Sequence, residues 1–308
     1  MATAAQWVSG ARPRTLPVAV APVLVGTGAA IALGPPPGRL AIVTVASSPP
    51  GWGWAQLGQA VLALIVALAL QVAVNYANDY SDGIRGTDDN RVGPFRLTGS
   101  GAAPASAVKQ AAFAAFGVAG VAGLALVAWT GHWWLLAVGV ACALAAWYYT
   151  GGRRPYGYAG LGEVSVFVFF GLVAVLGTTY TQSGRVDWAA IVSSAGIGAL
   201  ACAVLVANNL RDVPTDGESG KVTVAVRIGD VATRKLYLGL LAAPALTAVL
   251  AALDRPFALL ALLAFPLALA PIRRITGGAT GLALLPVLRD TGRLELAYAV
   301  LLAVGLAL

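Results

Sequence analysis

The stretch VLALIVALALQVAVNYANDYSDGIRGTD, residues 61–88, changes character at its midpoint. Its apolar half, taken back to residue 56, reaches the roughly 20 residues that cross a bilayer as a helix. Its polar half, residues 75–88, sets amides and acids at the end of that helix. In helical geometry Asn75, Asn78, Asp79 and Asp82 fall at i, i+3, i+4 and i+7, so they share one face. Acids at the mouth of a membrane helix are costly to place and are usually functional. Their oxygens are also hard ligands of the kind that Mg2+ or Ca2+ prefers.

Outward from this stretch, apolar runs of similar length recur along all 308 residues, and the chain is 58% hydrophobic and 11% charged. A soluble domain carries roughly 25% charged residues. The reading is an all-α polytopic membrane protein, with spans predicted near 15–33, 56–78, 106–130, 133–150, 161–181, 188–209, 233–252, 256–272 and 291–308. A short interfacial helix over 3–14, carrying Trp7, Arg12 and Arg14, precedes them. The loop 34–53 is assigned no role. Cys142 and Cys202 sit singly in apolar runs and His132 is the one histidine, which excludes a disulfide framework and a His- or Cys-based metal site. Gly117, Gly120 and Gly123, and Gly196 with Gly198, read as packing surfaces between helices.

A net charge of +7 raises the question of nucleic acid, but the placement of the bases argues against that partner. Of the 20 Lys and Arg, 17 fall in the N-terminal segment and the loops after spans 2, 4, 6 and 8. Such asymmetry sets topology, and it places those loops in the cytoplasm. The acids of the opening stretch lie on the same side, so the chemistry is expected at the cytoplasmic face.

The pattern Asn75-x-x-x-Asp79 returns as Asn208-x-x-x-Asp212 in NNLRDVPTD, residues 208–216. If the helix continues through Pro214, then Asn208, Asp212 and Asp216 line one face. Either motif alone reads equally well as solvated acids at a helix end. Two with matching spacing on one side favour a shared site. Facing carboxylate clusters repel and are costly to desolvate. Mg2+ resolves this by binding one or two carboxylates together with substrate phosphate oxygens. The pair therefore predicts a metal-bridged diphosphate, with Arg85, Arg91, Arg96, Arg153, Arg211 and Lys221 available to the remaining phosphate oxygens.

Three stretches, NDYSDGIRGTD (78–88), YYTGGRRPYGYAGLGE (148–163) and NNLRDVPTDGESGKVTVAVRIG (208–229), resemble the UbiA superfamily of intramembrane prenyltransferases. Together with ARPRTLPVAVAPVLVG (11–26), they look most like the branch that prenylates 1,4-dihydroxy-2-naphthoate. The resemblance covers nearly the whole chain. It implies one domain over residues 1–308, with about nine transmembrane helices around a central cavity and a cytoplasmic cap, in the inner (plasma) membrane. It implies that Asn78, Asp79, Asp82 and Asp88 form the first Asp-rich motif and Asp212 and Asp216 the second. By the same resemblance Asn75 and Asn208 are polar partners of Mg2+ or diphosphate, and Lys221 contacts diphosphate.

The implied reaction moves a polyprenyl group from polyprenyl diphosphate to 1,4-dihydroxy-2-naphthoate. It releases diphosphate and CO2 and gives demethylmenaquinol for menaquinone biosynthesis. Tyr149, beside TGGRRP, is a candidate for stabilising an allylic cation with its π-face. Arg153 is a candidate for diphosphate or the naphthoate carboxylate. Glu163, at the start of the fifth span, is either functional or paired with Arg153 or Arg154. Other acceptors (4-hydroxybenzoate, haem, homogentisate or a sugar phosphate) are alternatives within the superfamily. From another class, a membrane ion carrier usually holds its acids near the bilayer midplane, whereas these gather at one face.

Overall fold

Each predicted span is a helical segment in the computed structural model, which describes residues 2–36, 53–86 and 95–308. Asp88, Asp89 and Arg91 of the first motif loop lie outside the described residues, as does most of the 34–53 loop. In chain order the helices are α1 (Ala4–Gly10), α2 (Leu16–Leu33), α3 (Trp54–Ile84), α4 (Ala105–Thr130) and α5 (Leu135–Tyr148). Then come α6 (Gly162–Val166), a π-helical turn (Phe167–Val173), α7 (Ala174–Ser183), α8 (Trp188–Glu218) and α9 (Val224–Ala252). A 3-10 segment (Pro256–Ala268), α10 (Leu269–Thr276) and α11 (Leu285–Ala307) complete the chain.

Among the described residues, seven helical stretches are long and apolar enough to cross a membrane. The shorter apolar α5 and the 23-residue α11 fill the positions of the fourth and ninth predicted spans. The protein is a multi-pass, all-helical membrane protein. Side chains such as Val121, Leu246 and Leu263 point outward, as lipid-facing residues do. In α8, by contrast, 78% of the apolar stretch is buried, against 22% in α3, so α8 is the central helix.

Small residues allow that central position. A Cβ on Gly171 would stand 2.7 Å from Gly198 Cα and 2.8 Å from Ser194 O, so the π-turn and α8 touch backbone to backbone. The 3-10 segment uses the same device with a different period. Three residues per turn place Ala258, Ala261 and Ala264 on one face, and all three are buried. Gly117 and Gly120 behave otherwise than expected. No described atom lies within 4 Å of a Cβ at either position, so they do not form a close helix contact.

The loops after spans 2, 4, 6 and 8 collect at one end of the bundle. There Asn78 meets Thr150, the Val222 N–H donates to Tyr158 O, and Arg234 of α9 donates to Ile275 O and Ala279 O. At the other end Arg185 reaches Leu33 O, and Arg255 pairs with Asp187. The N-terminal helix docks at the first end, with Tyr76 OH donating to Trp7 O and the two rings 5.8 Å apart. Two breaks shape this end. Arg12 adopts a left-handed conformation between α1 and the turn at Pro13–Thr15. Within α9, Gly229 has φ 77° and ψ 172°, a region essentially restricted to glycine, so residues 224–228 form a separate turn of helix before the spanning part.

Candidate active site

The first acidic motif closes α3, and its residues point to four different partners. Asn75 donates to Ala11 O and Thr15 Oγ1, and so ties α3 to the N-terminal segment. Asn78 Oδ1 accepts from Thr150 Oγ1 at 2.7 Å. Asp79 is fully buried, and its two oxygens accept the N–H groups of Leu97 and Thr98 at 2.7 and 2.9 Å. That carboxylate holds the turn 95–101 against the helix. Asp82 faces the interior of the site, where Oδ2 lies 3.4 Å from Arg96 Nη2 and Oδ1 accepts from Tyr158 OH at 2.7 Å.

The second motif lies on α8, which continues through Pro214 to Glu218. Asn208, Asp212 and Asp216 therefore stack on successive turns, as the spacing predicts. Asp212 receives a two-pronged contact from Arg211 Nε and Nη2, each at 2.7 Å, and the Arg211 side chain is 0% exposed. Asn208 Nδ2 lies 3.5 Å from Asp212 Oδ2. Asp216 Oδ1 lies 3.3 Å from Lys221 Nζ. None of Asp79, Asp82, Asp212 and Asp216 exceeds 6% exposure. Solvated helix-end acids do not look like this. Burying a carboxylate is sustained only by charge-assisted partners, and each of these four has them.

The segment between α5 and α6 joins the two motifs through Tyr158, a residue inside the YYTGGRRPYGYAGLGE stretch that motif spacing does not single out. Its hydroxyl bonds Asp82, while its ring lies under two cations, Arg85 Cζ at 5.6 Å and Lys221 Nζ at 5.7 Å. Lys221 in turn pairs with Asp216, so Asp82, Tyr158, Lys221 and Asp216 form a continuous path from one motif to the other. Arg85 anchors the same segment by donating to Thr150 O and Gly152 O. Arg227 reaches Ala159 O at 2.7 Å. Tyr149 packs edge-on to Tyr156 at 5.5 Å and stands within electrostatic reach of Glu163, Asp82 and Asp216. The Tyr156 hydroxyl donates to Ala145 O, and burial pushes its pKa up against a smaller opposing effect of the Ser165 contact.

The structure thus brings together Asp82, Asp212, Asp216, Arg85, Arg96, Arg211, Lys221 and Tyr149. Arg153 is exposed. Glu163 pairs with neither Arg153 nor Arg154. Its Oε1 accepts from Asn209 Nδ2 at 3.0 Å, which draws a buried residue of the second motif into a role that i, i+4 counting passes over. The donor set of the site is oxygen-only, and hence hard. Among the described residues no three Asp, Glu, His or Cys side chains converge into a metal cage. Separate single carboxylates suit a cation that takes its remaining ligands from a bound phosphate. Arg211 Nη1 is a buried donor with no acceptor among the described residues, a position suited to an anionic oxygen.

Fold and site define a helical-bundle membrane protein with two buried Asp motifs, matched by Arg and Lys, at one end. The chain belongs to the UbiA prenyltransferase family, whose sequence model matches residues 19–281. It is 52% identical over 307 residues to the 1,4-dihydroxy-2-naphthoate octaprenyltransferase of Mycobacterium tuberculosis, covering 100% of this chain and 98% of that one. The enzyme of the same name from Escherichia coli is 37% identical over 243 residues, or 76% of this chain and 72% of that one. Among solved structures, a UbiA homolog from Archaeoglobus fulgidus bound to GPP and Mg2+ superposes with a TM-score of 0.61 at 15% identity. The match covers 96% of this chain and 99% of that one, and the likeness is one of fold.

Proposed function

We propose that this chain transfers a polyprenyl group from polyprenyl diphosphate to 1,4-dihydroxy-2-naphthoate, releasing diphosphate and CO2 and forming demethylmenaquinol for menaquinone biosynthesis. The observation that carries the reading is the join of Asp82 to Asp216 through Tyr158 and Lys221, which supports treating the two acidic motifs as one site. Identity of 52% along the full chain to an enzyme named for that acceptor supports the choice of substrate. Residues 1–308 act as a single domain. The polar end faces the cytoplasm of the inner (plasma) membrane, in line with the bias of Lys and Arg, and its loops serve as the cap.

The cofactor is Mg2+, the ion bound together with GPP in the Archaeoglobus fulgidus homolog. Asp82, Asp212 and Asp216 would hold it, with Asp79 and Asp88 as the further acids of the first motif. When bound it neutralises charge on the diphosphate. Arg96, Arg211 and Lys221 stabilise the departing diphosphate as the allylic C–O bond breaks and its electron pair leaves with the phosphate oxygen. Asn75 and Asn78 tie the end of α3 to the N-terminal segment and to Thr150. Asn208 lies one turn before Asp212 on α8 as a polar partner of the metal or diphosphate, and Arg85 fixes the loop that carries Tyr158. The Tyr149 ring offers its π-face to the allylic cation, and the apolar bundle keeps water from quenching it. A ring carbon of the acceptor donates an electron pair to the cation. The bond to the carboxylate then returns its pair to the ring as CO2 leaves.

The test is an acceptor panel in isolated membranes with Mg2+ and one long polyprenyl diphosphate, scored by product mass. A prenylated, decarboxylated naphthoate product is expected. Product with 4-hydroxybenzoate but none with the naphthoate overturns the choice of acceptor, and ion flux without diphosphate release overturns the enzyme reading.

A further inference from the structure

A second group of charges gathers at the polar end of the bundle, outside the site described above. Asp290, near the start of α11, is met by three guanidinium groups. Arg274 Nη1, from α10, lies 2.8 Å from Oδ2. Arg289 Nε and Arg293 Nη1 lie 2.8 and 3.5 Å from Oδ1. The side chain of the acid is only 13% exposed, whereas those of the three arginines run from 41% to 67%. Three cations around one anion leave an excess of two positive charges, and the exposed Arg273 beside Arg274 adds a third. Asp230, on the end of α9 that Arg234 ties to Ile275 and Ala279, offsets none of this, because Arg234 itself takes both its oxygens.

The arginines continue a lipid-facing surface. On α11, Arg289, Arg293, Val300 and Val304 fall at i, i+4, i+11 and i+15, which is one helical face, and all four are exposed. The opposite face carries the buried Leu294, Tyr298 and Leu302. On α10 the exposed Leu269 stands one turn before Arg273. Cations that follow directly on bilayer-facing apolar residues lie at the level of phospholipid headgroups. The bias that sets topology needs only charge in this loop. It does not need a carboxylate that gathers three guanidinium groups. Arg289 engages Asp290 through Nε and Arg293 through Nη1, so both Nη groups of Arg289 and the Nη2 of Arg293 keep their donors without a partner among the described residues. Planar donors of this kind suit phosphate oxygens.

We propose that Arg274, Arg289 and Arg293, gathered by Asp290, hold the phosphate of an anionic phospholipid whose acyl chains run along α11 past Val300 and Val304. A soluble phosphate shares the headgroup chemistry, but the apolar residues on the same helix face select the lipid. The assignment is independent of the group transferred and of its acceptor.

The experiment titrates the full-length protein in a neutral detergent with dioleoylphosphatidylglycerol, dioleoylphosphatidylcholine or soluble glycerol phosphate. The apparent Kd is read from the rise in the midpoint of thermal unfolding. The panel is wild type, Arg289→Gln with Arg293→Gln, and Arg289→Lys with Arg293→Lys. An arginine beside an anionic lipid contributes roughly fivefold to binding, so the Gln pair should weaken phosphatidylglycerol by about 25-fold and leave phosphatidylcholine unchanged. The Lys pair keeps the charge that insertion needs and loses the planar fork, so a smaller loss of about fivefold is expected. Equal affinity of wild type for the two lipids, or unchanged phosphatidylglycerol affinity in the Gln pair, overturns the proposal. Wild-type affinity in the Lys pair reduces the patch to unordered charge and overturns the role given to Asp290. Protection by glycerol phosphate at the same concentration as phosphatidylglycerol makes this a soluble-anion site and overturns the lipid assignment.

Discussion

Tyr158→Phe isolates the bond that joins the two acidic motifs. The substitution removes one hydroxyl, the donor to Asp82 Oδ1 at 2.7 Å, and keeps the ring that lies under Arg85 and Lys221. Asp82 is 5% exposed, so water does not readily replace the lost donor. A hydrogen bond to a buried charge contributes about 1.5–3 kcal/mol. At about 1.36 kcal/mol per decade, that is roughly a 10- to 150-fold fall in kcat/KM if the whole term is felt in the transition state. Arg96 remains 3.4 Å from the other oxygen of Asp82, so the lower end, near tenfold, is expected. Tyr158→Leu also forfeits two cation–ring contacts worth about 0.5–2 kcal/mol each and should fall further by a comparable factor. The assay is initial-rate prenyl transfer in isolated membranes, normalised to the amount of protein in the membrane. If both variants run at the wild-type rate, the motifs are not coupled through residue 158, and the single-site argument fails.

The other predictions follow the same geometry. Chelation with EDTA should abolish diphosphate release and added Mg2+ should restore it; turnover that persists in EDTA counts against the assigned role of the Asp motifs. Asp212→Ala strands Arg211, whose side chain is 0% exposed, at a cost of about 3–5 kcal/mol, so loss of activity should come with earlier thermal inactivation in detergent. Asp79→Ala releases the turn 95–101 from its two N–H contacts and should expose that turn to proteolysis as well as stopping turnover; protection equal to wild type would refute its anchoring role. Gly171→Val sets a side chain against the backbone of Gly198 and Ser194 and should lower the midpoint of thermal unfolding in detergent by several degrees, with an unchanged midpoint refuting the backbone contact.

The bundle is legible in the sequence because a bilayer imposes a length and a composition on whatever crosses it. Runs of apolar residues mark all nine predicted spans, and the break of α9 at Gly229 falls just before the start predicted for the seventh. The acid motifs are legible for a similar reason, since residues one helical turn apart must share a face, and α8 holds that geometry through Pro214. Partnerships are not legible in the same way. Asp79 belongs to a face that reads as catalytic, yet it holds backbone N–H groups 18 and 19 residues further on. Glu163 has arginines nearby in sequence, but its partner is Asn209, 46 residues away and one position off the stripe that periodicity selects.

By itself, then, the sequence determined that this chain crosses the membrane many times and carries two acid motifs on helical faces, because hydropathy and helical period are local properties. Tertiary structure alone decided which acids face inward, that Tyr158 joins Asp82 to Lys221 and Asp216, and that Glu163 meets Asn209. The physical reason is that burial and hydrogen bonding are settled between segments. Asp82 and Tyr158 are 76 residues apart, and nothing in the local pattern of either one states that the folded bundle puts them within 2.7 Å.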